Sequence, residues 1–138
     1  MAAKRKRQLK PRPYGGNRYT ASGKQGFIIS SLRKARWPPK FDALRDSQVG
    51  RKINAKTGKM AMHHKCAQCG AELPTKDVAV DHIIPVTPVI GFDSFDAVIL
   101  RLFCEALSLQ VLCKEPCHAT KTREENEARR EHKKNHGA

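Results

Sequence analysis

Two stretches of the chain end in side chains that can bind metal ions or transfer protons. The first is Val80–Pro85, in which Asp81 and His82 follow apolar residues that favour a strand. The second is Leu109–Thr122, which begins with a similar apolar run and continues into thiols and an imidazole. An aspartate oxygen suits a hard cation such as Mg²⁺, and an imidazole can accept a proton near neutral pH. If the two stretches meet in space, they predict a site for metal-assisted acid–base chemistry.

Four of the five cysteines form two close pairs, one in front of the first stretch and one inside the second. Cys66 and Cys69 are separated by two residues, and Cys113 and Cys117 by three. Both spacings lie within the range of structural zinc sites, and soft thiolates favour zinc over magnesium. We therefore expect a closed, structural zinc site with four cysteine ligands, because a reducing compartment makes metal binding more common than disulfides.

The sequence leaves a second set of zinc ligands open. Either His118 or His64 would replace one thiol in that set, although four thiols already complete a tetrahedral shell. The fifth cysteine, Cys104, stands alone in an apolar segment. A small, partly buried packing residue is the expected role for such a side chain.

Three residues outside the thiol set carry the catalytic prediction. His82 would accept a proton from water, while Asp81 and His118 would bind one divalent ion. Two protein ligands leave most coordination positions open for water and phosphate oxygens, as phosphodiester cleavage requires. His118 directly follows the predicted zinc ligand Cys117, so the zinc site would hold it in place.

Composition indicates a polyanionic partner. The chain of 138 residues has 27 Lys and Arg against 13 Asp and Glu, a formal net charge of +14. Such an excess favours nucleic acid or an anionic surface. No apolar run is long enough to span a membrane, and no apolar segment follows the basic run Lys4–Arg7, as a secretory signal would require. We therefore expect an intracellular protein with no membrane partner.

The predicted organisation has three parts. Residues 1–25 form a basic, disordered tail, residues 26–62 a basic helical segment with a connector, and residues 63–134 the zinc-stapled domain. The predicted elements are helices over 27–36, 39–48, 92–107 and 116–134, strands over 78–80 and 109–112, and a connector or hairpin over 50–59.

The order of these features resembles the HNH endonuclease family. The resemblance covers about Cys66 to Thr122, where a thiol pair, the Asp81-His82 strand end, a second thiol pair and His118 follow one another. It implies an α+β fold with a small ββα-metal core, also called the His-Me finger, a four-cysteine zinc staple and flanking helices. It also implies a metal-dependent DNA endonuclease that nicks or cuts both strands, with His82 as general base and Asp81 and His118 holding Mg²⁺ or another divalent ion.

The chain departs from the family pattern at one supporting position. Ser108 stands where the family usually has its central Asn, and a hydroxyl makes fewer hydrogen bonds than an amide. The looser similarity of residues 32–40 and 101–104 to small free-standing HNH proteins of tailed bacteriophages implies the cytoplasm of an infected bacterium. Candidate nucleic-acid contacts are Lys121 on the last helix and the basic residues Arg33, Lys34 and Arg36.

Two other classes of function fit parts of the sequence. A non-catalytic zinc-ribbon-like protein that binds nucleic acid needs only the charge and the four thiols. An RNA-binding or RNA-processing factor needs the same features. The Asp81-His82 pair and His118 favour the nuclease, because a protein that only binds requires none of them.

Overall fold

The computed structural model describes residues 8–136 and divides them into two compact units, one ending at Ala35 and the other beginning at Arg36. In the first unit Tyr14 and Tyr19 form an isolated antiparallel bridge ahead of helix α1, Ala21–Arg33. Helix α1 starts inside the predicted disordered tail, because Thr20 accepts a hydrogen bond from the Gly23 amide and caps the helix. The basic run Lys4–Arg7 lies outside the described residues.

The second unit begins with helix α2, Pro38–Asp46, and an antiparallel sheet. Its strands are β1, Gln48–Ile53, β2, Met60–Lys65, and β3, Glu72–Pro74, in that spatial order. The connector or hairpin predicted over 50–59 is therefore a hairpin. Strand β2 also runs across the predicted boundary between residues 62 and 63, so the basic segment and the thiol-bearing segment share one sheet.

A second sheet pairs strand β4, Val78–His82, with strand β5, Leu109–Cys113, in antiparallel orientation. Strand β5 is buried on both faces, since Leu109, Val111, Leu112 and Cys113 are all inaccessible. A distorted turn over Lys114–His118 leads from β5 into helix α4, Ala119–His136. The helix begins three residues later than predicted because this turn, rather than a regular helical turn, holds Cys117 and His118.

The segment between β4 and β5 contains a shorter helix than predicted. Helix α3 spans Phe95–Leu102, and the Ser94 hydroxyl caps it by accepting from the Ala97 amide. Val98 and Leu102 are buried, whereas Phe95 and Ile99 remain more than a third exposed. The helix predicted over 92–107 is therefore shorter than expected, and its apolar face is only partly buried. The short 3₁₀ turn Ala106–Ser108 links the helix to β5.

Trp37 packs inside the second unit. Its indole N–H donates to the Cys104 carbonyl oxygen at 2.6 Å, and its ring meets Phe103 edge-on at 5.4 Å between centroids. This contact ties the start of α2 to the end of α3. Cys104 is partly buried next to it, and burial raises the pKa of its thiol.

The arrangement is a mixed α+β fold of two small sheets and four helices across residues 8–136. No helix among these residues has both the length and the apolar character that a membrane crossing needs.

Candidate metal centre and adjoining polar site

The first thiol pair lies on a tight knuckle that follows β2. The Gly70 amide donates to the Cys66 carbonyl at 3.0 Å, and the Cys66 amide donates to the Ala71 carbonyl at 2.8 Å. Gly70 has a φ of +74°, a conformation that glycine adopts without steric cost. The Ala67 amide donates to the Val111 carbonyl, so the knuckle is fixed directly to β5.

The four thiols of the two pairs converge on one point. Their sulfur atoms all lie within 4.8 Å of one another, and Cys66, Cys113 and Cys117 are buried. The Sγ atoms of Cys69 and Cys113 are 3.8 Å apart, which is far beyond a disulfide bond. A tetrahedral zinc ion with Zn–S bonds of about 2.3 Å separates its sulfur ligands by about 3.8 Å. The cluster therefore fits a bound metal ion such as zinc.

The thiol pKa values show how strongly the four groups interact. Burial raises the pKa of the Cys66 thiol, but backbone hydrogen bonds, the first of them from Cys69, outweigh it and lower that pKa to about 6. Burial and the neighbouring thiols together raise the pKa of Cys117 to about 12. Four adjacent thiolates repel one another, and a divalent cation among them would offset that repulsion.

Asp81 lies next to this cluster in a second polar site, formed by β4, β5 and α4. Its Oδ2 atom accepts a hydrogen bond from Gln110 Nε2 at 3.0 Å and forms an ion pair with Lys121 Nζ at 2.9 Å. Its Oδ1 atom lies 3.9 Å from His118 Nε2. The carboxylate is thus held through one oxygen, while the other faces the imidazole that follows Cys117.

Lys121 is directed into this site and not toward solvent. Its ammonium contacts Asp81, the Glu125 carboxylate at 2.8 Å and the backbone carbonyl of His82 at 3.0 Å. Burial lowers the pKa of Lys121, but the hydrogen bonds that its ammonium donates to Asp81 and Glu125 outweigh it, so the pKa is raised. A lysine with these three partners links β4 to α4; direct contact with a phosphate would require it to give up some of them.

His82 lies beside Asp81 in the strand, but its ring makes a different contact. Adjacent strand residues point to opposite faces, and Nε2 of His82 lies 3.0 Å from the Leu102 carbonyl oxygen at the end of α3. Within residues 8–136, Asp81, His82 and His118 do not form a group whose ligand atoms all lie within 4.8 Å of one another. The structure therefore brings Asp81 and His118 together, and a catalytic role for His82 stays a prediction.

Ser108 supports the end of β4 through its main chain. Its carbonyl oxygen accepts from the Ile83 amide at 3.1 Å, directly after His82. The Ser108 side chain is exposed, so the backbone makes the contact that bears on the strand end.

The two histidines considered as alternative zinc ligands lie outside the thiol cluster. His64 is buried, with Nδ1 2.9 Å from the Leu44 carbonyl oxygen and Nε2 2.8 Å from the Thr75 hydroxyl. Both ring nitrogens are therefore used in holding β2 against α2 and the turn after β3. His118 points to Asp81. The four-cysteine set is the one that the geometry favours.

Three basic residues predicted to contact nucleic acid lie close to the boundary between the two units in the sequence. Arg33 ends α1 and Lys34 caps it, both exposed in the first unit. Arg36 belongs to the second unit, where its guanidinium lies 5.2 Å from the centre of the Phe41 ring. Their role in binding nucleic acid remains a prediction.

A surface groove of about 770 Å³ runs from His118 along α4. Its basic lining residues are Lys114, Arg123 and Arg130, with Asn126 between them. His118 has 37% of its side chain exposed, so the imidazole is accessible. Glu115 and Glu127 also line it, so the groove offers three cations, two carboxylates and an amide to a ligand that reaches the imidazole.

Sequence reasoning missed two members of the polar site. Gln110 is directly opposite Asp81 in the β4–β5 register, which the sequence does not reveal. Glu125 follows Lys121 by four residues, a helical spacing that the sequence shows but that suits a solvated face equally well.

Comparison with protein-family models, curated proteins and solved structures found no match for this chain.

Proposed function

We propose that this protein is a metal-dependent endonuclease that hydrolyses phosphodiester bonds in DNA. One observation carries the proposal: the carboxylate of Asp81 and the imidazole of His118 approach each other at 3.9 Å beside a four-thiol cluster. Two donors that share one ion at about 2.1 Å each can be at most about 4.2 Å apart. The pair is therefore compatible with a shared Mg²⁺ or similar ion.

The surroundings of Asp81 support this assignment. Gln110 and Lys121 both bind Oδ2, and this leaves Oδ1 toward His118. Partners of this kind orient a metal-binding carboxylate. A divalent ion bound there would supply charge stabilisation to a phosphate oxygen and to the leaving oxygen.

His82 would be the general base in this proposal. If the Nε2–H group donates a hydrogen bond to the Leu102 carbonyl oxygen, Nδ1 is the nitrogen of the neutral ring that would accept a proton. The contact with the carbonyl would fix the ring orientation, as a general base requires. Activation of water by His82 requires that the substrate phosphate lie on the His82 side of the strand end as well as near His118.

The substrate class follows from charge. The net charge of +14 favours a polyanion over a neutral or cationic substrate. The order β4, β5, α4, with the thiol cluster between strand and helix, is the order that the HNH resemblance leads one to expect.

A second candidate is a zinc-containing protein that binds nucleic acid without cutting it. The ion pair between Lys121 and Asp81 favours this alternative, because an ammonium already neutralises the carboxylate that would bind the catalytic ion. Cutting and binding are separable by experiment, since only the first needs Mg²⁺ and a base.

The test is cleavage of supercoiled plasmid by the zinc-loaded chain with and without Mg²⁺. We expect nicked or linear product that depends on Mg²⁺, and we expect His82→Ala and Asp81→Ala to lose at least about a hundredfold in rate. His136→Ala is the matched control, because His136 is an exposed histidine near the end of α4.

Two results would decide against the nuclease. If His82→Ala cuts as fast as the wild type, the general base is wrongly assigned. If the wild type binds plasmid tightly but leaves it intact in Mg²⁺, Mn²⁺ and Ni²⁺, the binding protein is the correct alternative.

A further inference from the structure

The β1–β2 hairpin, which we call the basic ribbon and which spans residues 48–65, carries several cations and no carboxylate. No Asp or Glu occurs between Ser47 and Ala71. The cations of the ribbon are Arg51, Lys52, Lys56, Lys59 and Lys65. Lys52 pairs with Glu72 of β3, and Lys56 approaches Asp77 at 3.8 Å. The remaining cations make no ion pair with residues 8–136.

The outer part of the basic ribbon projects beyond the sheet. Strand β3 pairs only with residues 63–65 of β2, so residues 51–62 have no third strand beside them. Ile53 is 66% exposed and Met60 54% exposed, although both are apolar. Arg51 and Ile53 share one face with Met60 and Met62, which lie opposite them in the register. That face combines a guanidinium with apolar side chains and lies open.

The ribbon is also held in one shape. At its tip the buried Asn54 accepts from the Lys56 amide through Oδ1, and its backbone bonds to Lys59 and Gly58. At its base His64 is fixed to α2 and the turn after β3, and β2 leads directly into Cys66. A protruding ribbon with a fixed tip and base needs little further ordering when it binds.

We propose that the basic ribbon enters the major groove of duplex DNA. This inference rests on the proposed function for its substrate class. The major groove of B-form DNA is about 12 Å wide and admits a two-stranded ribbon. Arg51 is placed to donate to a base edge, Ile53 and Met60 to contact thymine methyl groups, and the tip lysine Lys59 to contact a phosphate. The ribbon would then determine the sequence preference of DNA binding.

The choice of DNA over RNA follows from groove shape. The major groove of A-form RNA is deep and too narrow for side chains to read. A ribbon that inserts into the groove therefore binds duplex DNA more tightly than duplex RNA of the same sequence. A purely electrostatic surface would bind both, because each carries one phosphate per nucleotide.

The experiment measures binding of the full, zinc-loaded chain by fluorescence anisotropy at one fixed salt concentration and without added Mg²⁺. Labelled duplex DNA and duplex RNA of one sequence are compared. We expect Arg51→Ala/Lys59→Ala to weaken DNA binding roughly tenfold or more and to abolish the preference for DNA. For this double variant, the slope of log affinity against log salt concentration should be smaller in magnitude than that of the wild type by about 1 to 2. In addition, wild-type protein should protect guanine N7, a major-groove atom, from dimethyl sulfate.

The matched control is Lys76→Ala/Lys134→Ala, which removes two exposed cations of the same unit that lie outside the ribbon. Circular dichroism and zinc content show whether each variant is folded. Equal losses in the two double variants, equal affinity of the wild type for DNA and RNA, or unprotected guanine N7 would each overturn the proposal. Failure of the nuclease proposal gives a different pattern, with binding through the ribbon intact and no cleavage in Mg²⁺.

Discussion

Gln110 donates a hydrogen bond from its side-chain amide to Oδ2 of Asp81, directly across the β4–β5 pair. The contact leaves Oδ1 of Asp81 facing His118. A neutral amide therefore selects which carboxylate oxygen is available to a cation.

Replacement of Gln110 by Leu should weaken the binding of the divalent ion proposed for Asp81 and His118 while leaving the fold intact. Outer hydrogen bonds to a metal-binding group contribute roughly 10- to 100-fold in metal affinity. We expect the Mg²⁺ concentration for half-maximal cleavage to rise by that factor and the rate at saturating Mg²⁺ to change little. The exposed Gln68→Leu is the control. A lower rate that excess Mg²⁺ does not restore would show that Gln110 does not act by positioning Asp81.

Replacement of Lys121 by Met should lower the free energy of unfolding by about 1–3 kcal/mol, because charge-assisted hydrogen bonds to Asp81, Glu125 and the His82 carbonyl are lost together. Urea unfolding at neutral pH measures the change. Lys133→Met, on an exposed face of the same helix, should cost much less. Equal stability of the two variants would mean that Lys121 does not tie β4 to α4.

The contribution of Lys121 should also depend on pH with a definite sign. Its pKa is raised in the folded protein, so its stabilisation is complete below the ordinary lysine pKa of about 10.4 and falls as pH rises through the raised value. The stability difference between wild type and Lys121→Met should therefore be constant from about pH 7 to 9 and shrink above about pH 10.4. A difference that grows at high pH would contradict this assignment.

Removal of the zinc ion proposed for the thiol cluster should unfold the second unit. The cluster of Cys66, Cys113 and Cys117 forms part of the buried core, and metal binding in small domains is coupled to folding. We expect a strong chelator or Cys66→Ser to abolish the cooperative thermal transition seen by circular dichroism. Elemental analysis should find about one zinc per wild-type chain.

Cys104→Ser is the matched control for this measurement, because Cys104 is a cysteine outside the cluster. It should retain zinc and a cooperative transition, with a modest loss of stability from its partly buried position. Loss of zinc in Cys104→Ser, or an unchanged melting curve in Cys66→Ser, would contradict the four-cysteine assignment.

The chemistry of the thiol cluster and the two strands beside it could be predicted from sequence because their signals are local. The spacing of Cys66 and Cys69 within a glycine-ended knuckle predicts a metal-binding turn, and the apolar run before Cys113 predicts a buried strand. Helix boundaries were less predictable. Thr20 and Ser94 set the helix starts through side-chain caps, and the extended backbone at Glu115 delays α4.

The sequence by itself determined the metal-ligand types, the charge that favours a polyanion and the order of strands and helices around the site. The tertiary structure decided which groups meet. It placed Gln110 opposite Asp81, turned Lys121 inward, directed His82 to the Leu102 carbonyl and left the basic ribbon exposed. These outcomes depend on strand register and on packing between residues far apart in the chain. Neither can be inferred from the spacing of neighbouring residues in the sequence.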